Sequence, residues 1–102
     1  MINGIYQYAI EMKAPIGSRY GRLILEICDE ITSGTLTLFR QTLPISTGKC
    51  IGNQVRFSGD MKTLLYTLPY RAEGTIESAS IELKFQTEKG CFDAIGKASY
   101  SW

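Results

Sequence analysis

The chain has no histidine among its 102 residues. That removes the commonest general base and the commonest neutral metal ligand together. Cysteine is sparse: Cys28, Cys50 and Cys91 stand far apart, with no Cys-x-x-Cys pair and no histidine to activate a thiolate. An odd, widely spaced set fits free thiols in a reducing compartment better than a disulfide framework. A surplus charge is also missing. Eleven basic and ten acidic residues leave +1, and the Lys and Arg residues are scattered singly. Nucleic acid and anionic membrane surfaces are therefore not expected partners. No apolar run approaches the roughly 20 residues that span a bilayer. The opening Met1-Ile2-Asn3-Gly4 has neither a basic nor an apolar leader region. Gly48-Lys49-Cys50-Ile51-Gly52 lacks the spacing of a phosphate loop. These absences predict a cytoplasmic protein with no cofactor, no metal and no enzymatic activity.

Alternation of apolar and polar residues dominates what is present. Tyr6, Tyr8, Ile10 and Met12 alternate with Gln7, Ala9, Glu11 and Lys13. This is the two-residue period of a strand with one wet face. Ala14-Pro15-Ile16-Gly17-Ser18 is expected to break it with turn residues. Leu23, Leu25 and Ile27 then face in against Arg22 and Glu26, and Asp29 to Ser33 is expected to turn the chain. Leu36 and Leu38 follow Gly34, alternating with threonines. The same pattern returns at Val55–Phe57, at Tyr70–Ile76, at Ile81–Phe85 and, after Glu88-Lys89-Gly90, from Phe92. Short strands with short turns describe an antiparallel meander, with connections too tight for crossover helices. Residues 60–68 read two ways. Met61, Leu64, Leu65 and Leu68 have helical spacing, whereas Tyr66, Leu68 and Tyr70 share one face of a strand; Thr63, Tyr66 and Thr67 favour the strand. The expected fold is all-β: residues 1–102 as one antiparallel up-and-down β-barrel of seven or eight strands. A two-sheet sandwich buries the same faces, but closure also removes the exposed edges.

Gly4-Ile5-Tyr6, Ser33-Gly34-Thr35-Leu36, Phe57-Ser58-Gly59, Glu73-Gly74-Thr75-Ile76 and Phe92-Asp93-Ala94-Ile95-Gly96 are spaced along nearly the whole chain. Together they resemble the lipocalin-like (calycin-type) small bacterial barrels, in which an aromatic follows the first glycine and later hairpins repeat glycine before alternating apolar residues. Tyr6 stands where true lipocalins carry tryptophan, and the single tryptophan is Trp102. The resemblance implies the barrel fold. Many such proteins have no assigned function.

Two features on the inward face go beyond packing. Tyr6, Tyr8, Tyr66 and Tyr70 share it, and a buried hydroxyl wants a partner. Arg40 follows Leu36 and Leu38 on the same parity, and a buried guanidinium needs an anion. This set predicts a binding site for a small apolar or amphipathic ligand whose acid group Arg40 and the tyrosines hold. The competing expectation is a barrel filled by its own side chains, with Arg40 in solvent at a mouth, because eight strands are just wide enough to be filled that way. The protein is then a structural or oligomerising interaction module. Ile24, Phe39, Leu43, Leu65 and Ile95 fall on the nominally wet face, and a contiguous group of them would mark an interface. A homodimer fits this alternative, with no surface assigned to it. Glu11, Glu26, Glu73, Glu77, Glu82 and Asp93 are outward and serve solvation and cross-strand pairing. Cys28 and Cys91 also have outward parity.

Overall fold

The computed structural model describes residues 3–14, 17–38, 41–62, 67–77 and 79–98. The described residues form nine strands: β1 (Gly4–Ala14), β2 (Gly17–Cys28), β3 (Ile31–Leu38), β4 (Gln41–Pro44), β5 (Ser46–Ile51), β6 (Gln54–Lys62), β7 (Thr67–Ile76), β8 (Ser80–Thr87) and β9 (Gly90–Ala98). Every pairing is antiparallel. Each wall strand pairs with the next, and β9 returns to β1. The result is a closed up-and-down barrel of eight strands with β4 as an extra strand on β3. Closure leaves no sheet edge along the wall, which is the physical advantage of the barrel over an open meander. Among the described residues no helix is long and apolar enough to cross a membrane.

The alternation translates directly into the interior. Tyr8, Ile10, Met12, Leu23, Leu25, Ile27, Leu36, Leu38, Val55, Phe57, Leu68, Tyr70, Ile81, Leu83 and Phe85 are all buried. Residues 60–62 and 67–68 are strand, so the helical reading does not hold there. Met61 lies opposite Leu68 and Lys62 opposite Thr67, with Met61 and Leu68 both buried. Residues 63–66 lie outside the described residues.

Two local readings change. The turn expected over Asp29–Ser33 is confined to Asp29 and Glu30, because both adopt positive φ (51° and 74°) and Cys28 pairs with Ile31 at once. Such a two-residue turn matches the twist of its flanking strands. Asn3 braces it: the Asp29 N–H donates to Asn3 Oδ1 at 2.9 Å, and Asn3 Nδ2 donates to Asp29 Oδ1 at 3.2 Å. Leu43, expected on the wet face, lies opposite Leu36 and is half-buried. The reason is the β3–β4 hairpin. Leu38 is directly opposite Gln41, so crossing into β4 moves the inward parity from even to odd positions. It returns to even between Ile45 and Gly48, because β3 pairs β4 up to Pro44 and β5 from Gly48 with one extra residue on the β4–β5 side, a bulge.

The stagger of the wall explains its sharpest bends. A circuit by direct cross-strand partners leaves β1 at Lys13 and passes Asp93, Lys84, Glu73, Arg56, Lys49 and Ile31 to Cys28. It ends one residue beyond the Gly4–Ile27 pair, at the opposite end of β1. A stagger that large tilts the strands by roughly 40° to the barrel axis. Tilted strands must bend, and the backbones then crowd their neighbours. A Cβ on Gly34 would fall on the Ile24 carbonyl, and one on Gly74 on the Glu82 carbonyl. Only glycine permits these approaches.

Candidate functional site

The inward tyrosines do not form one cluster. Tyr6 and Tyr8 sit in the first part of β1, opposite Leu25 and Leu23. Tyr8 is fully buried, and Tyr6 is half-buried against the core. Tyr70 lies near the start of β7, opposite Gly59 and Thr87, toward the other end of the barrel. Arg40 and Tyr66 fall outside the described residues. The described cation on the inward side is Arg19, half-buried opposite Met12, with Nη1 donating to the Ser18 carbonyl at 3.3 Å. Counting the Leu23–Leu25–Ile27 parity two steps back through Gly21 reaches Arg19. That signal was present in the sequence.

Between the tyrosines the barrel is packed with rings. Phe57 meets Tyr70 edge-on with centroids 6.3 Å apart, and Phe57 meets Phe85 at the same distance. Tyr70 and Phe85 are 5.2 Å apart. Aromatic pairs in these arrangements contribute about 0.5–1.5 kcal/mol beyond their buried area. The Tyr70 ring lies over Gly59, where a Cβ would meet its hydroxyl at 2.8 Å. Burial, and then the Asp60 carboxylate, push the Tyr70 hydroxyl well above its ordinary pKa. Burial likewise raises the Cys50 thiol, whose Sγ donates to the Gly52 carbonyl at 3.6 Å. A neutral, buried thiol is a poor nucleophile. Thr32 is completely buried between Ile27 and Gly48, and its hydroxyl has no hydrogen-bond partner among the described residues.

Two places on the outside have a shape or chemistry of their own. The first is an open groove of about 490 Å³ at the Tyr70 end. Ser46, Ser58, Asp60, Arg71, Gln86 and Glu88 line it, with Tyr70 and Gly59 in its floor. Its lining offers hydroxyl, carboxylate and guanidinium groups. The second is a stripe of apolar residues on the wall at the Asp29–Glu30 end. Ile5, Ile31 and Ile51 are 66%, 58% and 61% exposed, and Cys28 is exposed among them. The register makes them neighbours. Ile31 is directly opposite Cys28. Ile5 is opposite Glu26 and hence diagonal to Cys28. Lys49 is opposite Ile31, and Ile51 follows two residues later on the same face. Cys50 N–H donates to the Glu30 carbonyl at 2.8 Å, which holds this part of β5 beside the turn. Diagonal neighbours on a sheet are about 7–8 Å apart, so the four side chains make one continuous line.

Of the residues expected to be wet and apolar, Ile95 is exposed and Ile24 is half-buried on the outer face. Phe39 and Leu65 lie outside the described residues. The stripe instead consists of Ile5, Ile31 and Ile51, all at strand ends where alternation is short. The signal was weak because each isoleucine stands alone in the chain; only the register joins them. No protein-family model, curated protein or solved structure matches this chain.

Proposed function

We propose that this chain is a non-enzymatic cytoplasmic interaction module, a solid barrel that works through its outer wall, akin to the lipocalin-like small bacterial barrels of unassigned function. The observation that carries this reading is the Ile5–Cys28–Ile31–Ile51 stripe on the outside of a packed core. Exposed isoleucines side by side are costly in water, and contiguous apolar patches on monomers commonly mark interaction sites. Inside, Phe57, Tyr70 and Phe85 pack ring against ring, and their neighbours Leu83, Ile81 and Val55 are buried. The absence of histidine and the outward carboxylates support a non-catalytic role.

Native mass spectrometry of the gently purified protein, beside a denaturing spectrum, tests this. The expected result is the bare chain mass and its multiples. A mass excess that disappears on denaturation would overturn the solid-barrel reading.

A second reading is favoured by the groove at Tyr70. It is a ligand-binding barrel in which Tyr70, Asp60 and Arg71 hold the polar group of a small amphipathic molecule at the barrel mouth. Under that reading, Arg71→Ala weakens uptake of the ligand found by mass spectrometry.

A further inference from the structure

The apolar stripe has a property that its composition alone does not convey: its flanks carry opposite charges. Glu26 precedes Cys28 by two residues on the β2 side, beside Ile5. Lys49 adjoins Ile31 on the β5 side. Glu26, Cys28, Ile31 and Lys49 are all exposed on the outer face. The centre is therefore the uncharged Cys28–Ile31 pair, with an acid on one flank and a base on the other.

We infer that the partner of this stripe is a second copy of the same chain. This rests on the interaction-module reading above. An isologous contact requires a surface that complements itself. A two-fold axis lying in the contact plane, between Cys28 and Ile31, exchanges the β1–β2 side with the β3–β5 side. It sets Lys49 of each copy against Glu26 of the other, twice per dimer. The Cys28–Ile31 pairs meet at the centre, and the Ile5 flank of one copy faces the Ile51 flank of the other. A net charge of +1 sets up little long-range repulsion between copies. The barrel wall is convex, so the contact is small. It belongs with interfaces at or below about 1,200 Å² in total, which bind weakly and reversibly.

The opposed charges make the test specific. Sedimentation velocity of the full chain in reducing buffer, from micromolar to submillimolar concentration, reads the association. The expected wild-type result is a weight-average mass that climbs toward twice that of the chain. Ile31→Lys places two charges at the centre and raises the dissociation constant roughly 30-fold or more, the scale of losing a hot-spot residue. Lys49→Glu sets acid against acid and weakens the dimer. Adding Glu26→Lys to Lys49→Glu swaps the two charges and restores it. Circular dichroism and thermal melting confirm that each variant is folded; all three positions are exposed. A wild-type chain that stays monomeric throughout overturns the assignment of the partner. So does a dimer indifferent to Ile31→Lys, or a double variant no tighter than Lys49→Glu. None of these outcomes touches the solid-barrel reading, which falls only to a ligand in the native mass spectrum.

Discussion

Two stretches of the same wall are built alike inside and differently outside. Across β1, β9, β8, β7 and β6 the directly opposed outward residues are Lys13, Asp93, Lys84, Glu73 and Arg56, alternating in sign at every step. Continuing round through β5, β3 and β2, the circuit meets Lys49, Ile31 and Cys28, and Ile5 and Ile51 lie diagonally beside it. Behind both stretches most inward positions are buried and apolar, with Thr32 a buried polar side chain in the second. The interior is thus a common requirement of closing the barrel. The exterior is free to vary, and only there do the two stretches diverge. Opposite charges facing each other across strands favour the register and keep the surface wet. Isoleucines in the same setting add no such benefit, so their clustering calls for a different explanation, and the proposed contact between copies is one.

The largest expected effects test whether the interiors are equivalent. Gly34→Ala in β3 and Gly74→Ala in β7 each drive a methyl into a neighbouring carbonyl. Each is expected to cost at least about 3 kcal/mol, among the largest single-residue effects. Urea denaturation measures both. A small loss at one site only would mean that one stretch of wall yields where the other does not.

Tyr70 comes next. Its pKa is raised in the folded protein, so the folded state binds a proton that the unfolded state releases. Its contribution to stability is present below the unfolded pKa of about 10 and is lost as pH rises beyond it, by up to about 1.4 kcal/mol per pH unit. Tyr70→Phe should flatten the fall in stability between pH 9 and pH 11 relative to wild type. Parallel curves would show that the hydroxyl keeps an ordinary pKa.

Thr32 belongs to the β2–β3–β5 stretch, where its buried hydroxyl is without a partner among the described residues. Thr32→Val removes that polar atom at nearly constant shape and is expected to stabilise by about 1 kcal/mol. A destabilised variant would mean that the hydroxyl has work to do in the core. The smallest effects separate the exteriors. Glu73→Lys places three cations side by side with Lys84 and Arg56, at a cost of about 0.2–1 kcal/mol. Ile31→Lys should leave the stability of the monomer within about 0.5 kcal/mol, since the side chain is mostly exposed. A large loss there would make the apolar stripe part of the core after all.

Much of the barrel was legible before any coordinates. The two-residue period marked Tyr8, Leu25, Phe57 and Phe85 as inward because the pleat turns alternate side chains to opposite faces. Leu43 falls on the wrong face when the even parity of Leu36 and Leu38 is carried forward, because the two-residue connection that sets Leu38 opposite Gln41 flips the parity. The inward parity of Tyr6, Tyr8 and Tyr70 is readable in the sequence, but their separation into two ends of the barrel depends on which way each strand runs. The inward parity of Arg19 follows from the same counting, two steps back from Leu23.

The sequence by itself determined which side of most strands is dry, and so an all-β antiparallel fold with one apolar interior. Only the tertiary structure decided which distant residues became neighbours. Ile5, Cys28, Ile31 and Ile51 belong to four strands, and the stagger of the register is what lines them up. Alternation is a local consequence of backbone geometry, whereas register is set by closing the whole ring. A surface assembled by register is therefore invisible until the ring is closed.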